Sequence, residues 1–356
     1  MLNLAEYRTV VNGELSRQYA SGMPIARQVD PFFAGLLAEM ERFIARGGKR
    51  LRPYLLYLAY IGAGGTEETK ILPIAAALEI LHNFLLIHDD IIDRDLIRYG
   101  ALNIQGAYLE RLHADLQPAK AERHAAEIAL LAGDVAHLLS SRAVLNAPLP
   151  AELLVKVMQI IHEATLSVAG GELIDSLLPL HLAELEADEA RIMRIYTYKT
   201  ASYTFELPIR LGVLLAGGNT VATDRAITDC AQPLGIAYQL SDDLLGIFGN
   251  EAQTGKPADS DILEGRETLL RHFARKNLNG RSADILDRTY GNSQATAIDI
   301  AAVRQVLETE GIRADVERLR DSYFDQAEAA LPQIGLNQEV SIQLGLLITD
   351  IRSRVS

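Results

Sequence analysis

His88-Asp89-Asp90-Ile91-Ile92-Asp93-Arg94-Asp95 brings carboxylates to positions 89, 90 and 93 directly after the apolar run Asn83-Phe84-Leu85-Leu86-Ile87. On a helix Asp89 and Asp93 stand four residues apart and share a face, with Asp90 beside them. That much negative charge next to apolar sequence calls for cations. Oxygen donors without thiolates suit Mg2+, which binds through one or two carboxylates and leaves positions for substrate phosphates. A second pair, Asp242-Asp243, lies 153 residues after Asp89, in the apolar stretch Tyr238-Gln239-Leu240-Ser241-Asp242-Asp243-Leu244-Leu245. Two such clusters facing each other in a bundle can grip metal ions on a diphosphate. The candidate metal ligands are therefore Asp89, Asp90, Asp93, Asp242 and Asp243.

A diphosphate also needs cations, and two groups stand beside loop glycines: Gly47-Gly48-Lys49-Arg50-Leu51-Arg52-Pro53 and Thr254-Gly255-Lys256-Pro257. Neither completes GxxxxGK[ST], since Arg50 and Pro257 follow the lysines, so a P-loop is not supported. His162-Glu163-Ala164-Thr165-Leu166 lacks the second histidine of a zincin. No GxSxG elbow and no GxGxxG after a strand is present. Cys230 stands alone and cannot form an internal disulfide.

The elements that must position these groups read as helices. Apolar residues recur at helical spacing almost throughout, as in Leu78, Leu81, Leu85 and Ile92, and useful strand alternation is hard to find. The expected fold is all-α, one large helical bundle forming a single domain over residues 1–356. Residues 106–127 and 277–294 are polar and read as insertions or linkers, the first as a solvated helix or lid. The 34 basic and 47 acidic residues leave a net charge of −13, which argues against a nucleic-acid partner. The stretch 71–87 is interrupted by Glu79, His82 and Asn83, and the N-terminal segment lacks a signal-peptide core, so no membrane anchor and a cytoplasmic setting are expected.

In order along the chain, these motifs resemble the trans-isoprenyl diphosphate synthases, or polyprenyl synthetases, over about residues 47–270. The resemblance implies an isoprenoid synthase bundle that binds isopentenyl diphosphate through Lys49, Arg52 and His82, and an allylic diphosphate through Arg98. Lys199, Thr200 and Tyr203 fall in the family's K-T-A-x-Y stretch, Gln239 with Asp242-Asp243 in the second aspartate motif, and Lys256 in T-G-K. Arg266 stands where a lysine is usual. The implied chemistry is ionisation, condensation and elimination. Mg2+ on Asp89, Asp93 and Asp242, with Arg98, Lys199 and Lys256, neutralises the departing diphosphate. Thr200, Gln239 and the Lys199 carbonyl turn dipoles toward the carbocation, and an apolar pocket excludes water.

Three further positions depart from the pattern: Tyr99 replaces the second of two arginines, Glu172 the glutamine of G-Q-x-x-D, and Gly246 a common third aspartate. Phe84, five residues before Asp89 and so about 7.5 Å along a helix, resembles the pocket floor of geranylgeranyl-type members. A C20 product is expected, with farnesyl or longer products as alternatives. A class I terpene cyclase fits less well, because Gly246 and Asn250 supply neither the hydroxyl nor the carboxylate of its second metal motif. Tyr99 and Glu172 leave open a non-catalytic partner subunit. The family is usually homodimeric, and the same is expected here.

Overall fold

The structure, a computed structural model, describes residues 1–180, 182, 186–218, 221–249 and 260–353. The chain divides into two compact units, Met1–Ile160 with Leu211–Gly218, and Ile161–Arg210 with Asn219–Ser356. As expected, the protein is almost entirely helical. A two-stranded hairpin is the one departure among the described residues.

In the first unit, α1 (Leu4–Val29) opens on a capping box between Asn3 and Glu6. It stops where Asp30 caps α2 (Pro31–Arg46), whose first residue is a proline suited to a first helical turn. There follow α3 (Leu51–Gly62), α4 (Glu68–Ile92), α5 (Ile104–Leu112) and α6 (Pro118–Leu145), with α4 packed along α6, α3 and α1. Small residues make the α4 to α6 contact close: Ala75, Ala76 and Ala77 face inward on α4, as do Ala125, Ala129, Ala132 and Ala136 on α6. Segment 106–127 takes the solvated-helix form of the two readings, with most of its residues exposed or partly exposed. It forms most of α5 and the start of α6, anchored by buried Tyr108 and by Gly106, whose Cα approaches the Leu96 carbonyl too closely for a side chain.

By length and composition α4, α6 and α7 (Ala151–Leu177) could each cross a membrane. In α4, however, 61% of the apolar window is buried within the protein. Its interrupting polar residues have protein partners: Glu79 pairs with Arg50, and Asn83 donates to the Tyr19 hydroxyl at 3.4 Å.

The second unit is built around α10 (Val221–Phe248), which packs against α15 (Ile312–Ala330) and a π-helical segment, Tyr196–Glu206. That segment continues α8 (Glu189–Ile195) and runs into α9 (Leu207–Leu215). Short helices complete the unit: α11 (Ser260–Glu264), α12 (Leu269–Asn277), α13 (Gly280–Thr289), α14 (Ala297–Thr309) and α16 (Gln338–Ser353). Residues 277–294, expected as a linker, contain α13 and bury Leu286 and Tyr290 in this unit's core.

Candidate active site

Helix α4 ends at Asp93, and the chain reverses through the hairpin Ile97–Arg98 and Ala101–Leu102. Its two turn residues, Tyr99 (φ 56°) and Gly100 (φ 72°), are both left-handed, as a type I′ turn requires. This return carries Arg98 to the aspartates: its guanidinium lies 2.6 Å from Asp90 Oδ1 and 3.1 Å from Asp89 Oδ2. Asp90 is buried, whereas Asp89 and Asp93 are partly exposed. Burial opposes the charge on Arg98, but Asp90 and Asp89 more than offset it and hold the guanidinium protonated.

The loop Gly47–Arg50, which leads into α3 and its first-turn residue Arg52, belongs to the same unit. Gly48 takes φ +94°, a conformation that strains any other residue. Arg50, read only as one of the loop cations, turns inward. Its guanidinium donates to Glu79 at 2.8 Å, to Asn12 at 2.9 Å and to the Ile44 carbonyl at 2.5 Å. Lys49 is exposed and Arg52 partly buried. The Tyr99 ring lies on Gly47, so that a Cβ there would fall 2.5 Å from the ring. Burial, together with the Arg52, Arg98 and Arg50 guanidiniums, pushes His82 well below its ordinary pKa.

Phe84 is held in an aromatic group, with ring centroids 4.8 Å from His88 and 5.1 Å from His137 of α6. The His88 ring fits because α6 carries Gly133 there, and its Nε2 lies 3.2 Å from the Leu130 carbonyl.

In the second unit the π segment carries Lys199, Thr200 and Tyr203. It is seated close on two glycines: a Cβ at Gly171 would lie 2.7 Å from the Lys199 nitrogen, and one at Gly235 would collide with Ala201. Lys199 Nζ lies 2.8 Å from Glu172 Oε2 and 2.6 Å from Asp175 Oδ2. Where the family has a neutral amide at 172, this chain has a second carboxylate competing for the ammonium. Glu172→Gln is therefore expected to lower the KM for an allylic diphosphate about 2- to 5-fold, the scale of one partly exposed ion pair. The KM for isopentenyl diphosphate should not move. Steady-state kinetics varying each substrate in turn check this, and an unchanged or raised allylic KM contradicts it.

Thr200 Oγ1 donates to Gln239 Oε1 at 2.6 Å, and Gln239 Nε2 donates to Asp243 Oδ1 at 2.9 Å. The other Asp243 oxygen accepts from the Tyr196 hydroxyl. Both oxygens of this buried carboxylate are thus directed at protein groups, while Asp242 is exposed. Burial drives Asp243 up to about 7, aided by Asp261 and Asp242 and opposed by the hydrogen bonds from Tyr196 and Gln239.

The carboxylate of Asp261 packs over Gly246, where the third aspartate of the motif is missing, and Arg266 lies 3.6 Å from it and 2.9 Å from Glu264. Sequence reading passed over Asp261, Tyr196 and Asp175; only the G-E-x-x-D frame pointed to the last. Lys256 lies outside the described residues. Among the described residues no group of three or more His, Cys, Asp or Glu side chains converges closely enough to hold a metal unaided.

Residues 34–308 match the sequence model of the family described as Polyprenyl synthetase. The chain belongs to that family. This polyprenyl synthetase is a trans-prenyltransferase. It is 30% identical to the geranylgeranyl diphosphate synthase of Saccharolobus solfataricus over 297 residues, 83% of this chain and 82% of the relative. It is 28% identical to the geranylfarnesyl diphosphate synthase of Aeropyrum pernix over 88% of this chain and 92% of that one. Its structure resembles that of the Corynebacterium glutamicum geranylgeranyl pyrophosphate synthase complexed with isoprenyl diphosphate and magnesium. There the TM-score is 0.92 and the identity 28%, covering 99% of this chain and 100% of the other.

Proposed function

We propose that this polyprenyl synthetase condenses isopentenyl diphosphate with an allylic diphosphate and releases geranylgeranyl diphosphate. The observation that carries the product length is the Phe84 ring, wedged against His88 and His137 one and a half turns before Asp89, where a growing chain would meet it. Relatives named for C20 and C25 products support the same range.

A purely carboxylate donor set fits Mg2+, which completes its shell with water and substrate oxygens and so does not need three converging side chains. Asp89, Asp93 and the exposed Asp242 are the ligands proposed here. Asp90 and Asp243, grouped with them on sequence, are assigned instead to orienting Arg98 and Gln239. When bound, the metal neutralises charge on the leaving diphosphate. The chain's own part is distinct. Arg98, Lys199 and Lys256 bind the allylic diphosphate, and Lys49, Arg52 and His82 bind the isopentenyl one. Thr200 and Gln239 present oxygen dipoles to the cation, and Tyr203 and Arg266 complete the substrate contacts. The departing diphosphate takes the proton lost on elimination, so no side-chain base is needed.

Turnover of purified protein with Mg2+, isopentenyl diphosphate and, separately, dimethylallyl, geranyl and farnesyl diphosphates tests the reading by product chain length. A discrete C20 product supports it. Phe84→Ala is expected to shift the main product to C25 or longer, and a product that stays at C20 removes Phe84 from the floor. Inertness with all three primers contradicts the assigned activity and favours a partner subunit.

The protein is further proposed to act as a soluble cytoplasmic homodimer. Leu131, Leu138 and Leu145 recur every seven residues on one face of α6 and are 58%, 67% and 60% exposed, an apolar row suited to a second helix pair. Light scattering after gel filtration checks the mass.

A further inference from the structure

Tyr196 has no part in the chemistry described so far, yet it closes a buried polar rectangle. Tyr196 and Thr200 are four residues apart in the π segment, and Gln239 and Asp243 are four apart in α10. Tyr196 bonds Asp243 at one end, and Thr200 bonds Gln239 at the other. The rectangle is fastened outside by the Leu269 amide, which donates to the Tyr196 oxygen at 3.0 Å. Tyr196 is 3% exposed and Asp243 5%, so water offers no substitute partners.

Hydrogen-bond direction gives this arrangement a consequence. An amide has an accepting end and a donating end. With Gln239 Nε2 committed to Asp243, only Oε1 can face Thr200. Thr200 has one hydroxyl proton, and it goes to that oxygen. The remaining lone pairs of Thr200 Oγ1 are then the electronegative face of the hydroxyl. If Asp243 turned away from Gln239, the amide could flip and present its NH2 to Thr200. The hydroxyl proton would then be released to point outward, a dipole of the wrong sign for a cation.

We propose that Tyr196 is a positioning residue that sets the polarity of the Thr200 hydroxyl by holding one Asp243 oxygen and thereby turning the other onto Gln239. The inference rests on the proposed ionisation of an allylic diphosphate at Thr200 and Gln239.

Tyr196→Phe keeps the ring and removes the hydroxyl. Turnover is expected to fall about 10-fold, the scale of one or two misdirected hydrogen bonds, with the KM for both diphosphates within about 2-fold of wild type. The deciding readout is inhibitor discrimination. An allylic diphosphate analogue with a tertiary ammonium at the cationic carbon is compared with its uncharged carbon isostere. The wild type should favour the ammonium form, and Tyr196→Phe should lose about 10-fold of that preference while binding the isostere normally. Thr200→Val supplies the second variant. If Tyr196 works through Thr200, the double variant should lose no more than Thr200→Val alone. Full ammonium preference in Tyr196→Phe, additive losses in the double variant, or a parallel loss of both analogues with a lowered melting temperature each overturn the proposal. A wild type that neither turns over nor prefers the ammonium form instead overturns the assigned function.

Discussion

Asp89→Ala and Asp242→Ala are each expected to lower kcat/KM by about 10²- to 10³-fold while leaving the melting temperature within a degree or two of wild type. The magnitude is that of removing one preorganised electrostatic group from charge that develops in the transition state. The allylic C–O bond breaks only as the diphosphate takes up its electrons, so a lost metal ligand acts on the bond-breaking step itself. Stability should barely change because Asp242 is exposed and Asp89 partly so, and neither fills core volume. Turnover as a function of Mg2+ concentration, with a thermal melt of each variant, provides the check. A variant within 2-fold of wild type at all Mg2+ concentrations removes that aspartate from the metal site.

Arg50→Met is expected to act in the opposite manner, with a large cost in stability. The Arg50 and Glu79 side chains are 3% and 4% exposed, and Glu79 Oε2 has no hydrogen-bond partner. Removing the arginine leaves a carboxylate buried without its counter-ion, which costs about 3–5 kcal/mol. The loss falls beneath the loop that carries Lys49 and the first turn of α3 that carries Arg52, so the isopentenyl diphosphate KM should rise as well. Chemical denaturation midpoints measure the first effect and kinetics the second. Arg50→Met combined with Glu79→Leu should recover much of the lost stability, because replacing a whole buried ion pair with apolar groups is often neutral. If Arg50→Met denatures at the wild-type midpoint, the pair does not anchor the loop.

The helical architecture and the motif residues could be read from sequence because their signal is local. Apolar spacing marks α4 and α10, and carboxylates four apart mark a helix face. Adjacency misled. Residues i and i+1 on a helix point about 100° apart, so the two members of Asp89-Asp90 and of Asp242-Asp243 differ in burial. In each pair the second member turns inward, to Arg98 or to Gln239 and Tyr196.

The hairpin after α4 went unread because its left-handed turn is made by Tyr99-Gly100 rather than by the usual Asn-Gly. Arg50 looked like its cationic neighbours, since nothing in the loop sequence announces that Glu79, 29 residues on, waits inside for it. Segments 106–127 and 277–294 are largely solvated, as read, and what the sequence did not announce is the few anchors that tie them down, Tyr108 in the first and Leu286 with Tyr290 in the second. Their burial depends on what packs over them.

The π segment at Tyr196–Glu206 also constrains how this enzyme can change over generations. Each hydrogen-bonded ring there closes one residue later than in an α-helix. Deleting a residue here would let the backbone give up that extra residue and rewind toward ordinary helical bonding, which keeps the flanking helices near their present register but changes which side chains the stretch itself presents. Lys199 and Thr200 would then lose their shared setting even with every side chain intact. Substitutions in this stretch are open to selection one at a time, whereas a one-codon deletion is not, and length becomes the inherited quantity.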